Sequence, residues 1–500
     1  MKWNLLIRRG VSLLACLLLV VSMMAVLAGC GDEPANGDST TPTGDNNNGD
    51  EGNGKDESSL LSVLKQGSND TLNLGGKELT ISVWGGVVQE GQDPYFDRRY
   101  AKERLTEAAY NVQIEWMENN TSTFVQDVTL AYTSQKKYAD LMFCPSTQGF
   151  DLCRLGAIQP LDDYINYDSK WYQMTANADM FVDGKHYSYM PDENNANNIG
   201  LFITYNKTIL EAAGCEDPYT LYNEGKWDWD AFVEIIEKTT IKDDAGNVTQ
   251  YGVSGSFILE ALCLSNGIDM IGMDTENQKF TCNLYTDAGL EALNMMKKIG
   301  YDLKGCDGYY GGHNSLITFG DSKLAMLISA SYYPSGSIQK GMDVHSVPLP
   351  IGPSAGGKET NGLSLQEWWC VGTISDFSVK DALQVALHMN DNNPENAGYM
   401  DESNYATVYL TEDEIRSEFI ERTYDGCVFY NEYESEFYWD YIHSEDVRHT
   451  LCINPADITA TLAEKVFAPI CAGEDPRTVL ERVKPVIDEA LKDMLPKSMQ

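Results

Sequence analysis

Residues 77 to 146 switch repeatedly between two hydrophobic periods, and that switching restricts the fold more than any other feature of the chain. "KELTISVWGG" (77 to 86) carries the β-branched alternation of a strand, and its Gly pair ends it, which puts Trp84 at the strand's C-terminal mouth. A helix is expected from Pro94 to Tyr110, a second strand in "NVQIEWMEN" (111 to 119), a second helix from Thr123 to Ser134 and a third strand in "YADLMFCPS" (138 to 146). The order β-α-β-α-β implies a parallel sheet with right-handed crossovers. Ligands of such sheets bind outside the C-terminal ends of the strands. Trp84, Gly85 and Gly86 stand at one such end, and Ser146, Thr147 and Gln148 at another.

Further along, "IGLFITYNKTILEAAG" (199 to 214) reads as an apolar strand running into a short helix that Gly214 ends. In "KWDWDAFVEIIEKTT", Asp228 is placed to cap a helix whose Phe232, Ile235 and Ile236 recur at helical spacing. Trp227 and Trp229 at its start read as packing residues rather than ligand platforms. "NQKFTCNLYTDAGLEALNMMKKIG" (277 to 300) gives a short strand or hairpin element, then an amphipathic helix with Leu290, Leu293 and Met296 on one face, its methionines filling core. "GDSKLAMLISASYYP" (320 to 334) is a strand that ends in an aromatic pair, and "VHSVPLPIGP" (344 to 353) a Pro-bounded extended crossover.

The N-terminus places this chain outside the cytoplasm. Lys2, Arg8 and Arg9 precede an almost wholly apolar run from Val11 to Leu27, as in an export signal, although a run near the roughly 20 residues of a membrane span leaves an uncleaved anchor open on hydropathy alone. Leu27-Ala28-Gly29-Cys30 resembles the bacterial lipobox, in which the cysteine thiol takes up diacylglycerol before cleavage makes it the mature N-terminus. Residues 1 to 29 are therefore expected to be a lipoprotein signal peptide. Residues 30 to 74 follow as lipidated Cys30 and an acidic tether, rich in Gly, Asn and Asp through about Ser59, too poor in apolar groups to repay its own ordering entropy. Without the signal, 33 basic residues face 75 acidic ones, a formal charge of −42 that repels nucleic acid and anionic membranes alike. Of twelve cysteines, Cys16 leaves with the signal and Cys30 takes lipid. None of the rest forms a CxxC pair, which disfavours zinc ribbons and thioredoxin-like sites. Location permits disulfides, spacing does not fix their pairing, and buried structural thiols are the plain alternative.

Five ordered stretches now carry a resemblance. "LTISVWGG", "YADLMFCPSTQGFDLCRLGAIQPLDDYI", "GKHYSYMP…GLFITYNKTILEAAG", "FGDSKLAML" and "VPLPIGP" resemble, in order, the motifs of extracytoplasmic solute-binding proteins that serve ABC importers, specifically the maltose-binding-protein-like group that takes up oligosaccharides. Ser322 departs from the pattern, standing where the family often has Gly in a local turn. The resemblance implies a two-lobed α/β fold of the periplasmic-binding-protein type (type II). Each lobe is a mixed, mostly parallel sheet flanked by helices, with hinge crossovers between the lobes. Lobe 1 is expected at 75 to 197 plus 345 to 390, and lobe 2 at 198 to 344 plus 391 to 500, closed by the C-terminal helices.

A sugar offers hydroxyls and flat C–H faces, so its receptor needs aromatic platforms and uncharged or acidic hydrogen-bonding groups. Carried over position by position, the resemblance implies ligand contacts at Trp84, Gly85 and Gly86, at Ser146, Thr147 and Gln148, at Asn197 and Asn198 before the hinge strand, at Phe257 after "YGVSGS", at Tyr332 and Tyr333 after "LAMLISAS", and at Trp368 and Trp369 in "SLQEWWCVG". Core packing is the alternative for each aromatic. The stretch "YNEYESEFYWDYIH" (430 to 443) is read as a packed C-terminal helix rather than a cleft rim. The partners implied are an oligosaccharide, ABC transporter permease subunits and the membrane through the lipid on Cys30, with the protein a monomer at a Gram-positive cell surface. Non-sugar solute binding and a sensing role use the same fold. A secreted glycoside hydrolase is the rival from another class, with Asp162-Asp163 or Asp192-Glu193 as acid and nucleophile. Yet carboxylate pairs arise freely among 75 acids, and no HExxH, GxSxG or P-loop pattern is present, so neither catalysis nor a cofactor or metal is expected.

Overall fold

The structure, a computed structural model, describes residues 59–84, 94–120, 122–169, 181–182, 184–189, 200–255, 257–274, 279–306, 312–330, 342–363, 367–391, 441, 444, 446–451 and 461–493. All belong to one compact unit, Gly54–Gln500. In chain order its main elements are β1 (Lys77–Trp84), α1 (Pro94–Tyr110), β2 (Val112–Asn119), α2 (Phe124–Thr133), β3 (Leu141–Pro145), α3 (Ser146–Leu155), β4 (Leu201–Asn206), α4 (Trp229–Thr239), β5 (Ile241–Lys242), β6 (Val248–Gly255) and α5 (Ile258–Ser265). There follow β7 (Ile271–Asp274), β8 (Lys279–Cys282), α6 (Asp287–Lys297), α7 (Gly312–Gly320), β9 (Leu324–Ala330), β10 (Val344–Val347), β11 (Thr360–Leu363), β12 (Glu367–Val371), α8 (Val379–Asn390), β13 (Arg448–Leu451) and α9 (Pro476–Asp493).

The first sheet has the order β12-β3-β1-β2, parallel throughout except for β12, which runs antiparallel to β3. Both of its faces are buried. Leu79, Ile81, Val83, Leu141 and Val371 join a core with α8 and with Leu60, Leu61 and Val63, whereas Met142, Cys144 and Cys370 face a second core shared with Phe124, Val128, Phe150 and Leu152 from α2 and α3. The buried Asp140 carboxylate fastens this sheet. It accepts from the Thr80 and Asp376 backbone N–H groups at 2.9 and 3.1 Å, from the Ser375 hydroxyl at 2.7 Å and from Lys137 Nζ at 3.0 Å. Ser59 Oγ and Leu60 N donate to buried Asp391 at 2.6 and 3.1 Å, which ties this segment to the residue that follows α8.

The second sheet has the order β10-β4-β9-β6-β5, with β9 parallel to β6 and antiparallel to β4. Residues 344 to 353, expected as an extended crossover, begin instead with a strand, because Val344–Val347 pairs antiparallel with β4. The passage toward β12 therefore starts at Pro348, and along it β11 pairs in parallel with β13, a segment more than eighty residues distant in sequence. Trp227 and Trp229 pack as expected: both are buried, and their indole N–H groups donate to the Pro348 carbonyl at 2.8 Å and to Ser265 Oγ at 2.9 Å. Asp228 caps α4 through the Ala231 N–H at 3.0 Å. Leu290, Leu293 and Met296 of α6 are buried together. Of residues 430 to 443 only Tyr441 is described, and it is buried.

Candidate functional site: the strand mouths

Strand register decides which side chains can meet. In the first sheet Trp84 and Asn119 are opposite each other as the last residues of β1 and β2. Ser82 is opposite Met142, and Pro145 and Cys144 are opposite Glu367 and Trp368. Consequently the ends of β1, β2 and β3 and the start of β12 all reach one end of the sheet. Ser146, Thr147 and Gln148 form the first turn of α3, directly after β3, where the unpaired N–H groups of a helix start are presented. Gly85 and Gly86 lie outside the described residues. The described predicted positions of this sheet, Trp84, Ser146, Thr147, Gln148, Trp368 and Trp369, are thus carried by elements that end or begin at one mouth.

The second sheet repeats the arrangement. Gly255 is opposite Ile328, and Ala330 is opposite Leu201, so the ends of β6 and β9 and the start of β4 share one end. Phe257 follows β6 by two residues. Tyr332 and Tyr333 follow β9, and Asn197 and Asn198 precede β4; these four lie outside the described residues. Phe257 is buried and holds φ 63° and ψ 28°, the left-handed region, at the N-cap of α5 with no side-chain cap hydrogen bond. A bulky residue in that region carries strain, which collects at ligand sites. Gly255, the last residue of β6, has φ 153°, and a Cβ there would overlap the Ile328 carbonyl.

Trp369 is half-buried and has neighbours of its own. Its carbonyl accepts from the Tyr189 N–H at 2.9 Å, and its ring lies 4.9 Å from Phe143, 6.4 Å from Trp116 and 6.2 Å from Tyr189, centroid to centroid. Trp116 in turn donates its indole N–H to Glu103 at 2.6 Å. Burial pushes the Tyr189 hydroxyl well above the usual phenol range, so it stays protonated.

Two polar groups at the mouths escaped the sequence reading. Asn119, buried, donates from Nδ2 to Ser82 Oγ at 3.1 Å, and its Oδ1 is buried with no hydrogen-bond partner. Glu260 is a buried carboxylate in the first turn of α5, where the helix dipole favours negative charge. Only burial distinguishes either residue from the many exposed Asn and Glu of this acidic chain, and burial is a property of the fold.

Asp162 does not form a carboxylate pair with its neighbour. It accepts from the His186 backbone N–H and approaches His186 Nδ1, each at 2.8 Å, while Asp163 is exposed. Asp192 and Glu193 lie outside the described residues. Among the described residues no group of three or more His, Cys, Asp or Glu is arranged to hold a metal, and no helix is long and apolar enough to cross a membrane. None of the eight described cysteines is in a disulfide, and Cys144 and Cys370 Sγ are in contact at 3.7 Å. Burial pushes the Cys282 and Cys471 thiols up to about 11, which keeps them unreactive.

Two sheets with ligand-type groups at their mouths, joined by repeated crossovers, define the class of two-lobed binding proteins. The model of the bacterial extracellular solute-binding protein family matches residues 90–362, more than half of the chain, and the chain belongs to that family, which comprises binding proteins rather than enzymes. Solved structures share the fold. The maltose/maltodextrin-binding domain from Bdellovibrio bacteriovorus bound to maltotriose is 15% identical, with 83% of this chain and 100% of that chain covered and a TM-score of 0.53. An ABC substrate-binding protein from Listeria monocytogenes in complex with cycloalternan is 13% identical over 83% and 99%, with a TM-score of 0.55. The cyclic alpha-maltosyl-1,6-maltose binding protein from Arthrobacter globiformis is 14% identical over 84% and 100%, with a TM-score of 0.56. No match was found among curated proteins.

Proposed function

We propose that this protein is a substrate-binding lipoprotein that captures an oligosaccharide between two lobes and delivers it to the permease of an ABC transporter. The observation that carries the reading is that the chain positions of Trp84, Asn119, Gln148, Phe257 and Trp368, aromatic and uncharged polar residues, stand at or near the strand ends on one side of each sheet. That mixture suits stacked sugar rings and their hydroxyls. Similar folds bound to maltotriose and cycloalternan support the sugar class. We assign lobe 1 to about 75 to 197 plus 348 to 390 and lobe 2 to about 198 to 347 plus 391 to 500, the boundary lying after β10 because that strand pairs with β4. In this reading Gly85, Gly86, Ser146, Thr147, Asn197, Asn198, Tyr332, Tyr333 and Trp369 complete the cleft. Cys30 carries the lipid that holds a monomeric receptor to the outer face of the cell membrane, and no cofactor takes part.

The test is a thermal-shift screen of the purified chain from residue 59 onward against maltotriose, cycloalternan, monosaccharides, amino acids and peptides. A sugar that binds only the folded state must raise the melting temperature progressively with concentration, by about 2.7 kcal/mol of stability at a hundred times Kd. A shift with amino acids or peptides alone would overturn the sugar assignment. Anchoring is tested separately: Cys30→Ala should abolish labelling by a radioactive fatty acid and leave the signal segment uncleaved, seen as a chain about 3 kDa heavier on a gel.

A further inference from the structure

We infer that Asn119 is a ligand-recognition residue whose side-chain oxygen accepts a hydrogen bond from a ligand hydroxyl at the mouth of the first sheet. The inference rests on the reading of that mouth as the solute site. Asn119 is the last residue of β2, directly opposite Trp84, the last of β1. Its carboxamide is more than nine-tenths buried, so both arms of the amide need partners. The Nδ2 arm has one. It turns back along the sheet to Ser82 Oγ, two residues inside the mouth, at 3.1 Å, and the Tyr138 hydroxyl also hydrogen-bonds Ser82.

With the nitrogen engaged by Ser82, the oxygen is the unengaged arm of the planar amide on the last residue of β2. There Oδ1 is buried without any partner. A buried acceptor left unpaired costs about 1–3 kcal/mol, and native folds keep such groups where a function repays them. The missing partner must be a donor that arrives with the solute. A hydroxyl fits, because it donates one hydrogen without bringing a charge into a buried site.

Ser82 has the complementary role of a positioning residue. It fixes the amide so that the oxygen, rather than the nitrogen, meets the ligand, which selects for a donor. Asn119→Asp keeps the shape and an acceptor but places a negative charge in a buried position, so it should weaken binding of a neutral sugar and restore it toward low pH.

The experiment is calorimetric titration of the wild type, Asn119→Ala and Asn119→Leu with maltotriose and its monodeoxy analogues, alongside melting of each ligand-free protein. Loss of one neutral hydrogen bond predicts roughly three- to tenfold weaker maltotriose binding. One deoxy analogue should bind the wild type more weakly than maltotriose but bind Asn119→Ala as well as maltotriose does. Asn119→Leu should melt within a few degrees of the wild type, since it loses one hydrogen bond to Ser82 but also removes the buried unpaired oxygen. Equal affinity in the wild type and Asn119→Ala would overturn the inference while leaving the sugar reading intact. A wild type that binds no sugar in the screen would overturn that reading and this inference with it.

Discussion

Ser322 and Phe257 are both held at positive φ, 55° and 63°, and neither is glycine. For Ser322 the sequence already signalled a turn that prefers Gly, and the structure supplies the reason: the residue occupies the left-handed region between α7 and β9. Ser322→Gly should therefore stabilise the protein by about 1 kcal/mol, measured by denaturant titration, since a left-handed L-residue costs about 1–2 kcal/mol and glycine returns a part through its freer unfolded chain. Phe257 is a sharper case. Its ring contributes to the core, so Phe257→Ala should cost about 3 kcal/mol or more. Phe257→Gly should be the more stable of the two by about 1 kcal/mol, reversing the usual order, because glycine relieves the backbone; the opposite ranking would show that no strain is held there. Asp140 was legible only as the acid of a family strand motif. Four partners from three segments make it structural, and Asp140→Ala should lower stability by about 3 kcal/mol or more, since it leaves buried donors unpaired. Trp84 was readable as a strand end from its Gly pair, whereas the left-handed turn at Phe257 was not, because hydropathy carries no record of a backbone angle.

At the scale of elements, the local periods gave α1 as Pro94–Tyr110 and placed β1, β2 and α2 within a residue or two at each end. What they omitted was pairing between remote segments. Nothing in "TNGL" or "RHTL" states that Thr360–Leu363 and Arg448–Leu451 are neighbours, since register between such segments is set by the whole fold. That pair is held from the flank by Arg448, whose Nη1 lies 3.2 Å from both Asp269 carboxylate oxygens, and by Glu359, which accepts from the Tyr222 hydroxyl at 3.0 Å. Burial raises the Glu359 carboxyl above its ordinary 4.5, with the Tyr222 hydrogen bond offsetting part of the rise. A raised folded-state value means that the protonated form is preferred in the fold. Its contribution to stability is complete below 4.5 and is lost as pH climbs through the raised value. Glu359→Gln keeps an acceptor for Tyr222 and removes the titration. Its melting temperature relative to wild type should therefore be higher near pH 7 than near pH 4, and a pH-independent difference would show that Glu359 does not titrate in that range.

The whole molecule carries a formal charge of −39. Self-repulsion of that size destabilises the compact state. Raising salt from about 10 to 150 mM shortens the screening length from roughly 30 to 8 Å, so melting temperature should rise over that interval; a fall would mean that attractive ion pairs dominate. On the proposed reading, a neutral sugar is not drawn in by a field, so capture depends on hinge closure. Tyr189 and Trp369 share a backbone hydrogen bond, and β11 pairs with β13 along the passage that leaves the second sheet. A compact body of the chain from residue 59 onward has a radius of gyration of about 22 Å. A ligand that binds the closed form better must shift the population toward it in proportion to that preference. Solution X-ray scattering should then show the radius falling as maltotriose or another sugar identified by the screen saturates the protein. A radius unchanged at saturation would mean that the lobes are already closed when empty, and that the affinity comes from a preformed cleft instead of from hinge motion.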